Sequence, residues 1–169
     1  MKFAIAVVLF SLGLSLPNTF QQTGSSGAPQ DHNTGVKQRG DHAMGFPQDK
    51  ATHHFYLYTN GGAIQVEANS TADTETKSQI QMHLGHIAQM FADGNFEIPM
   101  LVHDQVPPGV PVMKKKRAEI TYLFEKTDRG GRVRITTTNP EALQAVHNFL
   151  RFQIADHKTG DSTQVASQK

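Results

Sequence analysis

Residues 53–68, HHFYLYTNGGAIQVEA, decide the fold of this chain because apolar and polar side chains alternate on both sides of a glycine-rich turn. Such alternation indicates two half-buried β-strands, and Asn-Gly and Gly-Gly supply the positive φ angles that tight hairpin turns demand. A two-residue turn places Phe55 and Leu57 on the buried face, whereas a three-residue turn would bury Tyr56 and Tyr58. The length of this turn therefore determines which side chains meet the core.

Residues 118–138, AEITYLFEKTDRGGRVRITTT, repeat the hairpin pattern around the turn DRGG. The alternation on both sides of that turn requires an even-numbered loop, which favours the two-residue turn in the first hairpin as well. Ile120, Tyr122 and Phe124 then share the inward face of their strand. The two hairpins predict four strands.

Each hairpin is followed by a segment with helical periodicity, which predicts helices over about residues 71–92 and 140–157. Ser70 with Asp73 forms a capping-box pattern before the first helix, and Asn139 precedes a proline at the start of the second. The order ββα–linker–ββα predicts an α+β domain. We expect a four-stranded antiparallel sheet with two helices packed on one face, built as a pseudo-twofold repeat.

The composition of the segments outside the repeat predicts the domain limits. Residues 1–16, MKFAIAVVLFSLGLSL, have the charged start and short apolar run of a signal peptide, too short for a membrane span. Residues 17–50 are rich in Gly, Ser, Gln, Asn and Pro, and residues 159–169 are similarly small and polar, which predicts a flexible leader and a flexible tail. Residues 51–158 then form a single domain, and residues 96–117 form its internal linker.

The overall composition excludes several classes of function. A formal net charge of +1 gives no reason to expect nucleic-acid binding. With no cysteine, the chain has neither disulfides nor thiolate ligands, so nine histidines and six methionines are its nitrogen and soft sulfur donors. The basic run at residues 113–117, MKKKR, is interpreted as a solvated strand entry, with contact to an anionic ligand or partner as the alternative. Nucleophile-elbow, P-loop and dinucleotide-binding motifs are absent from the sequence, and we predict no catalytic residue.

Residues 81–90, QMHLGHIAQM, contain the best candidate for a binding site. At 100° per residue, His83, His86 and Met90 fall within about 60° of one another at the border of the buried face. Met82 points almost opposite the core. Two imidazoles and a thioether suit copper first, with zinc or nickel as less favoured alternatives.

A complete site needs ligands from other elements. His53 faces the helix-covered side of the sheet if Phe55 does, and His103 lies in the linker that crosses the domain. We therefore predict the ligand set His83, His86, Met90, His53 and His103. The alternative is that border histidines and methionines fill space without binding a ligand, which is their commoner role. His147, at the edge of the second helix, is interpreted in this structural way.

Several strings together resemble a known group of proteins: MGFPQDKATHHF, MHLGHIAQMFADGNFEIPMLVHD, VPPGVPVM and ALQAVHNFLRFQIADHKTGD. The chain from about Met44 to Asp161 resembles small exported bacterial proteins that share an MGF-x-Q…HHF opening and an FLRFQI…HKTGD close. The resemblance implies a soluble exported domain, periplasmic or secreted. It implies no activity and brings no site residues.

These observations leave three functions open. The first is an exported small binding protein for a metal ion. The second is a metal-independent interaction or scaffold domain, in which His54, Tyr56 and Tyr58 on the uncovered face of the sheet meet a protein partner or a second copy. The third is a histidine-dependent enzyme. No membrane span is expected after the signal peptide is removed.

Overall fold

A computed structural model of the chain describes residues 32–167, so the predicted signal peptide, residues 1–16, lies outside the described residues. Within this range no helix is long and apolar enough to cross a membrane. In chain order the elements are α1 (His32–Met44), β1 (Ala51–Tyr58), β2 (Gly61–Ala68), α2 (Thr74–Ala92), α3 (Glu97–His103), α4 (Val110–Lys115), β3 (Ile120–Lys126), β4 (Gly130–Thr137) and α5 (Pro140–His157).

The four strands form one antiparallel sheet in the order β1-β2-β4-β3, which confirms the predicted α+β class. Tyr58 pairs with Gly61, so the first hairpin has the two-residue turn. Phe55 and Leu57 are consequently buried, each 2% exposed. The order ββα occurs twice along the chain, and the pseudo-twofold relation between the two halves stays a prediction.

The core lies between one face of the sheet and the two long helices. Helix α2 packs over β3 and β4, while α5 packs over β1 and β2. Helical periodicity predicts one apolar stripe on each long helix, Ile80, Leu84, Ile87 and Phe91 on α2 and Leu143, Val146, Leu150 and Ile154 on α5. All of these except Leu143, which is half-buried, lie in a single buried cluster with the inward residues of the strands.

The hairpin glycines have a different role from the predicted one in both turns. In the first hairpin the turn residues Thr59 and Asn60 have no positive φ, and Gly61, with a φ of 148°, is the first residue of β2. In the second hairpin neither Gly130 nor Gly131 has a positive φ. A Cβ on Gly130 would lie 2.1 Å from the carbonyl oxygen of Val66. The glycine is needed because the backbones of two adjacent strands approach closely, and the turn itself does not require a left-handed residue.

We expect Gly130→Ala to lower the free energy of unfolding by about 2 kcal/mol, because the strands must separate to accept the methyl group. The matched control is Gly85→Ala in α2, where the nearest atom to a new Cβ is 3.8 Å away on Phe124. That change should stabilise the protein by up to about 1 kcal/mol through helix propensity. Urea unfolding of both variants measures the difference, and equal effects would contradict the close-approach explanation.

The starts of the long helices agree with the sequence in one case and differ in the other. Asn139 caps α5 as predicted, accepting hydrogen bonds from the backbone N–H groups of Glu141 and Ala142 at 2.9 and 3.0 Å. Helix α2 begins three residues later than predicted. Asp73, and not Ser70, is its cap, and its carboxylate accepts a hydrogen bond from the N–H of Thr76 at 3.0 Å.

The predicted linker contains two short helices, α3 and α4, of seven and six residues. Helices this short are unstable alone and show too few turns for their periodicity to be detected. Burial of Phe96, Val102 and Met113, each at most 1% exposed, holds them on the domain. In the basic run that follows, Lys116 lies 3.2 Å from a carboxylate oxygen of Glu119.

The segments predicted to be flexible also contain ordered structure. In the leader, α1 packs on α3, and the Arg39 guanidinium donates to the carbonyl of Val102 at 2.9 Å. In the tail, Asp161 accepts a hydrogen bond from the N–H of Phe55 at 2.9 Å, and Ala166 forms a β-bridge with Tyr58. Composition misses these contacts because a few residues anchor otherwise polar segments.

Candidate functional site

Four imidazole rings line one cavity between the sheet and the helices. The cavity has a volume of about 60 Å³, room for a few water molecules or one bare ion. Its walls are otherwise mainly apolar, with Leu84, Ile87 and Phe149 among them. The side chains that bring nitrogen or soft sulfur to it are His53, His83, His103, His157 and Met44.

The structure divides the ligand set that the sequence predicts. His53 from β1, His83 from α2 and His103 from α3 line the cavity together. His86 is exposed to solvent, and Met90 packs against the hydrophobic core, so neither lines this cavity. His83, His86 and Met90 form one stripe on a helical wheel. The neighbouring elements cover the side of that stripe with His83 and leave His86 in solvent.

His157, the last residue of α5, is the site residue that sequence reasoning misses. At the C-terminus of a helix a histidine is ordinarily explained by its interaction with the helix dipole, so its position carried no signal of its own. Met44 is one of the additional donors that the leader offers in the sequence, but it stands outside the predicted ligand set. Both residues reach the cavity through tertiary packing, because α1 packs on α3 and α5 packs on β1.

The rings of His53 and His157 are stacked. Their centroids are 5.4 Å apart and their planes differ by 9°. His103 meets His157 edge-on at 4.9 Å, while Phe46 stacks on His53 at 6.2 Å and meets His83 edge-on at 5.7 Å. The result is a continuous aromatic group around the cavity, held by ring contacts as well as by burial.

Burial keeps three of these imidazoles neutral. Loss of hydration lowers the pKa of His53 to about 3, and positive charge on the neighbouring His157 and His83 would lower it further. Burial likewise lowers the pKa of His83 to about 4 and that of His157 to about 4. At neutral pH these rings therefore present uncharged nitrogen atoms, which is the form of histidine that binds metals.

His103 is held on both sides. Its Nδ1 lies 2.6 Å from a carboxylate oxygen of Asp156, and its Nε2 lies 2.9 Å from Oε1 of Gln153. In the part of the chain that the structure describes, Nε2 of Gln153 is buried without a hydrogen-bond partner. A half-turn of the Gln153 amide would let this nitrogen donate to Nε2 of a neutral His103. The ring is positioned by its neighbours and is not free to turn toward the cavity.

The rings do not form a ready-made metal site. Among residues 32–167, no group of three or more His, Cys, Asp or Glu side chains is arranged to hold an ion. The stacking of His53 on His157 explains part of this, because the lone pairs of parallel rings point along parallel planes and do not converge. His103 also has no nitrogen free to bind an ion, because both its ring nitrogens form hydrogen bonds.

The uncovered face of the sheet carries an aromatic ladder along β1. His54 stacks on Tyr56 at 6.1 Å, and Tyr56 stacks on Tyr58 at 6.3 Å. Nδ1 of His54 lies 3.0 Å from a carboxylate oxygen of Asp161 in the tail. The three rings are half-buried, and each covers part of its neighbour. The ladder therefore exposes less apolar surface than three separate rings would.

His147 has a structural role. It is 7% exposed, and its Nε2 lies 2.9 Å from the carbonyl of Tyr58 and 3.0 Å from that of Gly61. Because carbonyl oxygens accept hydrogen bonds, Nε2 carries the proton and donates to both. The ring joins α5 to the first hairpin.

The cavity, with its neutral rings, is the best candidate site in the described residues. It combines an apolar enclosure with several polar groups whose pKa values are displaced, the combination expected of a binding site. Comparisons of the chain with family models, curated proteins and solved structures find no match.

Proposed function

We propose that this protein is a small exported binding protein that takes up a soft transition-metal ion, copper above all, in the histidine-lined cavity. The observation that carries the proposal is that uncharged imidazoles of His53 and His83 and the thioether of Met44 line one mainly apolar cavity. Nitrogen and thioether donors together favour copper over the hard cations.

The charge of the site favours Cu(I) over divalent ions. The cost of burying an ion rises with the square of its charge, and these three donors are neutral. A divalent ion in the same cavity would need a carboxylate beside it. None is among the described residues that line the cavity, and that of Asp156 is hydrogen-bonded to His103. Thioether sulfur also binds Cu(I) well and binds zinc poorly.

Binding requires the rings to turn, and the energies permit this. Separating a pair of stacked aromatic rings costs about 1 kcal/mol. A structural metal ion bound by protein ligands contributes about 10 kcal/mol or more. The stack of His53 on His157 therefore opposes the ion only weakly, and rotation of the His53 side chain can aim its lone pair into the cavity.

Two histidines of α2 provide a matched test, because His83 lines the cavity and His86 lies in solvent. We expect the purified protein to bind about one equivalent of Cu(I) in anaerobic competition with bathocuproine disulfonate. His83→Leu should weaken binding about 100-fold or more, since even loss of an outer-shell partner commonly costs 10–100-fold. His86→Leu, the same change three residues away, should leave the affinity unaltered.

The outcomes separate the proposed functions. Circular dichroism of each variant is the check that the fold is retained. An equal loss of Cu(I) affinity in both variants would show that the cavity is not the binding site. It would favour a site on the surface of α2 formed by His83, His86 and Met90. Absence of any copper uptake would contradict metal binding altogether and leave the aromatic ladder of His54, Tyr56 and Tyr58 as a protein-contact surface. In that case Tyr56→Ala should weaken self-association or capture of a partner.

A further inference from the structure

The two edges of the sheet differ. The outer edge of β1 is closed by the tail of the same chain. Ala166 donates its N–H to the carbonyl of Leu57 at 2.9 Å and accepts from the N–H of Thr59 at 3.2 Å, and Asp161 accepts from the N–H of Phe55. At the opposite edge β3 pairs with β4, and in the described part of the chain no second strand pairs with its outer side. The sheet is therefore open at β3.

The register of the second hairpin identifies the free backbone groups of this edge. Thr127 donates its N–H to the carbonyl of Gly130 at 3.1 Å. Because bonded and unbonded pairs alternate along an antiparallel ladder, the backbone groups of Tyr122, Phe124 and Lys126 point away from β4. They lie where a further strand would bond.

The edge lacks the features that usually prevent pairing with another chain. Charged side chains, a proline or a bulge interrupt the exposed edges of most sheets. Residues 120–124, ITYLF, contain no charged residue and no proline, and their register with β4 is continuous. Leu123 is 53% exposed on the uncovered face of the sheet. An apolar, unprotected edge of this kind is a template for a further strand.

We propose that β3 pairs antiparallel with β3 of a second copy of the chain, so that the two sheets join into one. The inference goes beyond the proposed function and does not rest on it, because no residue of β3 lines the histidine-lined cavity. It also differs from self-association through the aromatic ladder, which lies on β1 at the far side of the sheet.

The sequence of β3 is complementary to itself in one register. A pairing centred on Leu123 overlaps the whole strand and places the two copies of Leu123 opposite each other on the uncovered face. Tyr122 then lies opposite Phe124 of the second copy, and Thr121 lies opposite Glu125. No like charges meet, and the two exposed leucines cover each other with Cα atoms about 4.5 Å apart. This self-complementarity favours a second copy over an unrelated peptide.

The backbone groups match in the same register. The outward N–H and carbonyl of Tyr122 meet those of Phe124, and the N–H of Lys126 meets the carbonyl of Ile120. The N–H of Ile120 takes no part, because it donates to the carbonyl of Arg117. About six hydrogen bonds then join the two strands.

The helix layer has room for the same pairing. Helix α2 lies over β3 and β4, so a twofold axis at the β3 edge brings the two copies of α2 about two strand spacings, or about 10 Å, apart. That is an ordinary distance between packed helices. The side of α2 toward β3 carries the small residues Gly85, Ala88 and Ala92, and a Cβ on Gly85 would lie 3.8 Å from Phe124. No large side chain of this group keeps a second helix away.

The first test is Leu123→Glu, which places two carboxylates opposite each other at the centre of the pairing. Within one copy the new carboxylate lies beside Arg134, so the fold should tolerate it. We expect sedimentation of the unchanged protein between about 1 and 300 µM to show a monomer–dimer equilibrium. Leu123→Glu should raise the dissociation constant about tenfold or more. The matched control is Leu101→Glu on α3, a leucine of similar exposure at 55%, which should leave it unaltered.

A charge pair tests the register and does not depend on the behaviour of one variant. Leu123→Lys alone should also weaken the dimer, because two ammonium groups then face each other. An equimolar mixture of Leu123→Glu and Leu123→Lys should recover dimers that contain one copy of each. Opposite charges meet at residue 123 only if the strands are antiparallel and centred there.

Cross-linking gives a second measurement of the register. The chain has no cysteine, so Leu123→Cys places one thiol of each copy at the axis, within the Cα separation of a disulfide. Mild oxidation should link the two copies. Thr121→Cys, exposed on the same face of the same strand, holds its two copies about 14 Å apart and should not be linked.

The outcomes separate this interface from the other proposals. A monomer at every concentration would overturn the inference, and so would a dimer that Leu123→Glu does not weaken. A dimer weakened by Tyr56→Ala and not by Leu123→Glu would place the contact on the aromatic ladder. Equal cross-linking of both cysteine variants would contradict the register centred on Leu123. Failure of Cu(I) uptake in a protein that still dimerises would contradict the proposed function alone.

Discussion

Acidification of the metal-free protein from pH 7 to pH 5 is expected to lower its free energy of unfolding by about 4 kcal/mol. The cause is the group of buried imidazoles, His53, His83 and His157, whose pKa values burial lowers to about 3, 4 and 4. Domains of this size are commonly stable by only 5–15 kcal/mol, so the loss is a large share of the total.

The direction follows from proton uptake. A histidine in the unfolded chain binds a proton near pH 6.5, whereas these folded rings stay neutral until about pH 4. Between those values the unfolded chain binds more protons, so stability is complete above pH 6.5 and falls as the pH falls. Each ring accounts for a loss of about 2 kcal/mol of unfolding free energy at pH 5. Solvent screening of the partly accessible rings reduces the total for the three to about 4 kcal/mol.

Substitution identifies the groups responsible. His53→Phe removes one of the three rings that must charge, so the loss between pH 7 and pH 5 should shrink by about a third. His86→Leu, which removes a solvent-exposed imidazole, should retain the full loss. Urea unfolding of each variant at pH 7 and pH 5, at fixed ionic strength, measures the loss of unfolding free energy. The half-buried carboxylate of Asp161, whose pKa is lowered, contributes only below about pH 4, outside this window. A stability that is flat from pH 7 to pH 5 would contradict the neutral buried cluster.

Removal of the carboxylate that holds His103 is the second large effect that we expect. Asp156→Ala should lower the free energy of unfolding by about 3 kcal/mol, because it leaves a buried ring nitrogen without its partner. The His103 side chain is 1% exposed and that of Asp156 is 12% exposed, so water replaces the lost hydrogen bond poorly.

The chain supplies its own control for this prediction in a second aspartate–histidine pair. Asp161 lies 3.0 Å from His54, whose side chain is 32% exposed. Asp161→Ala also removes a hydrogen bond from the N–H of Phe55, yet water reaches the site, and we expect a loss of about 1 kcal/mol. Denaturant unfolding of both variants at pH 7 makes the comparison. Equal losses would show that burial does not determine the strength of the His103 contact.

Much of the fold follows from local patterns in the sequence. Alternation in the hairpins and periodicity in the two long helices predict β1 to β4, α2 and α5, because each element buries one face of its own. The even loop predicts that Phe55 and Leu57 face inward. By contrast, α1, α3 and α4 are short or polar, and contacts with distant residues hold them.

The candidate site could be predicted only in part, for the same reason. His53 and His83 are placed correctly near the buried side because the strand and helix periods fix where they point. His86 and Met90 share the stripe of His83 but not its neighbours, and those neighbours come from α1 and α3. His157 gives no local signal, because its position at a helix end has an ordinary explanation.

The sequence by itself determined the four strands, the inward face of each hairpin and the two helices that cover the sheet, because these depend on side-chain patterns of period 2 and 3.6. The pairing of β2 with β4, which joins the two hairpins, is seen only in the tertiary structure. Only the tertiary structure decided which histidines meet. Residues 53, 83, 103 and 157 come from four different elements, and it is the packing of those elements that removes water from their rings. The loss of hydration keeps His53, His83 and His157 neutral, and an uncharged, enclosed imidazole is a chemical property of the fold that no stretch of the chain has alone.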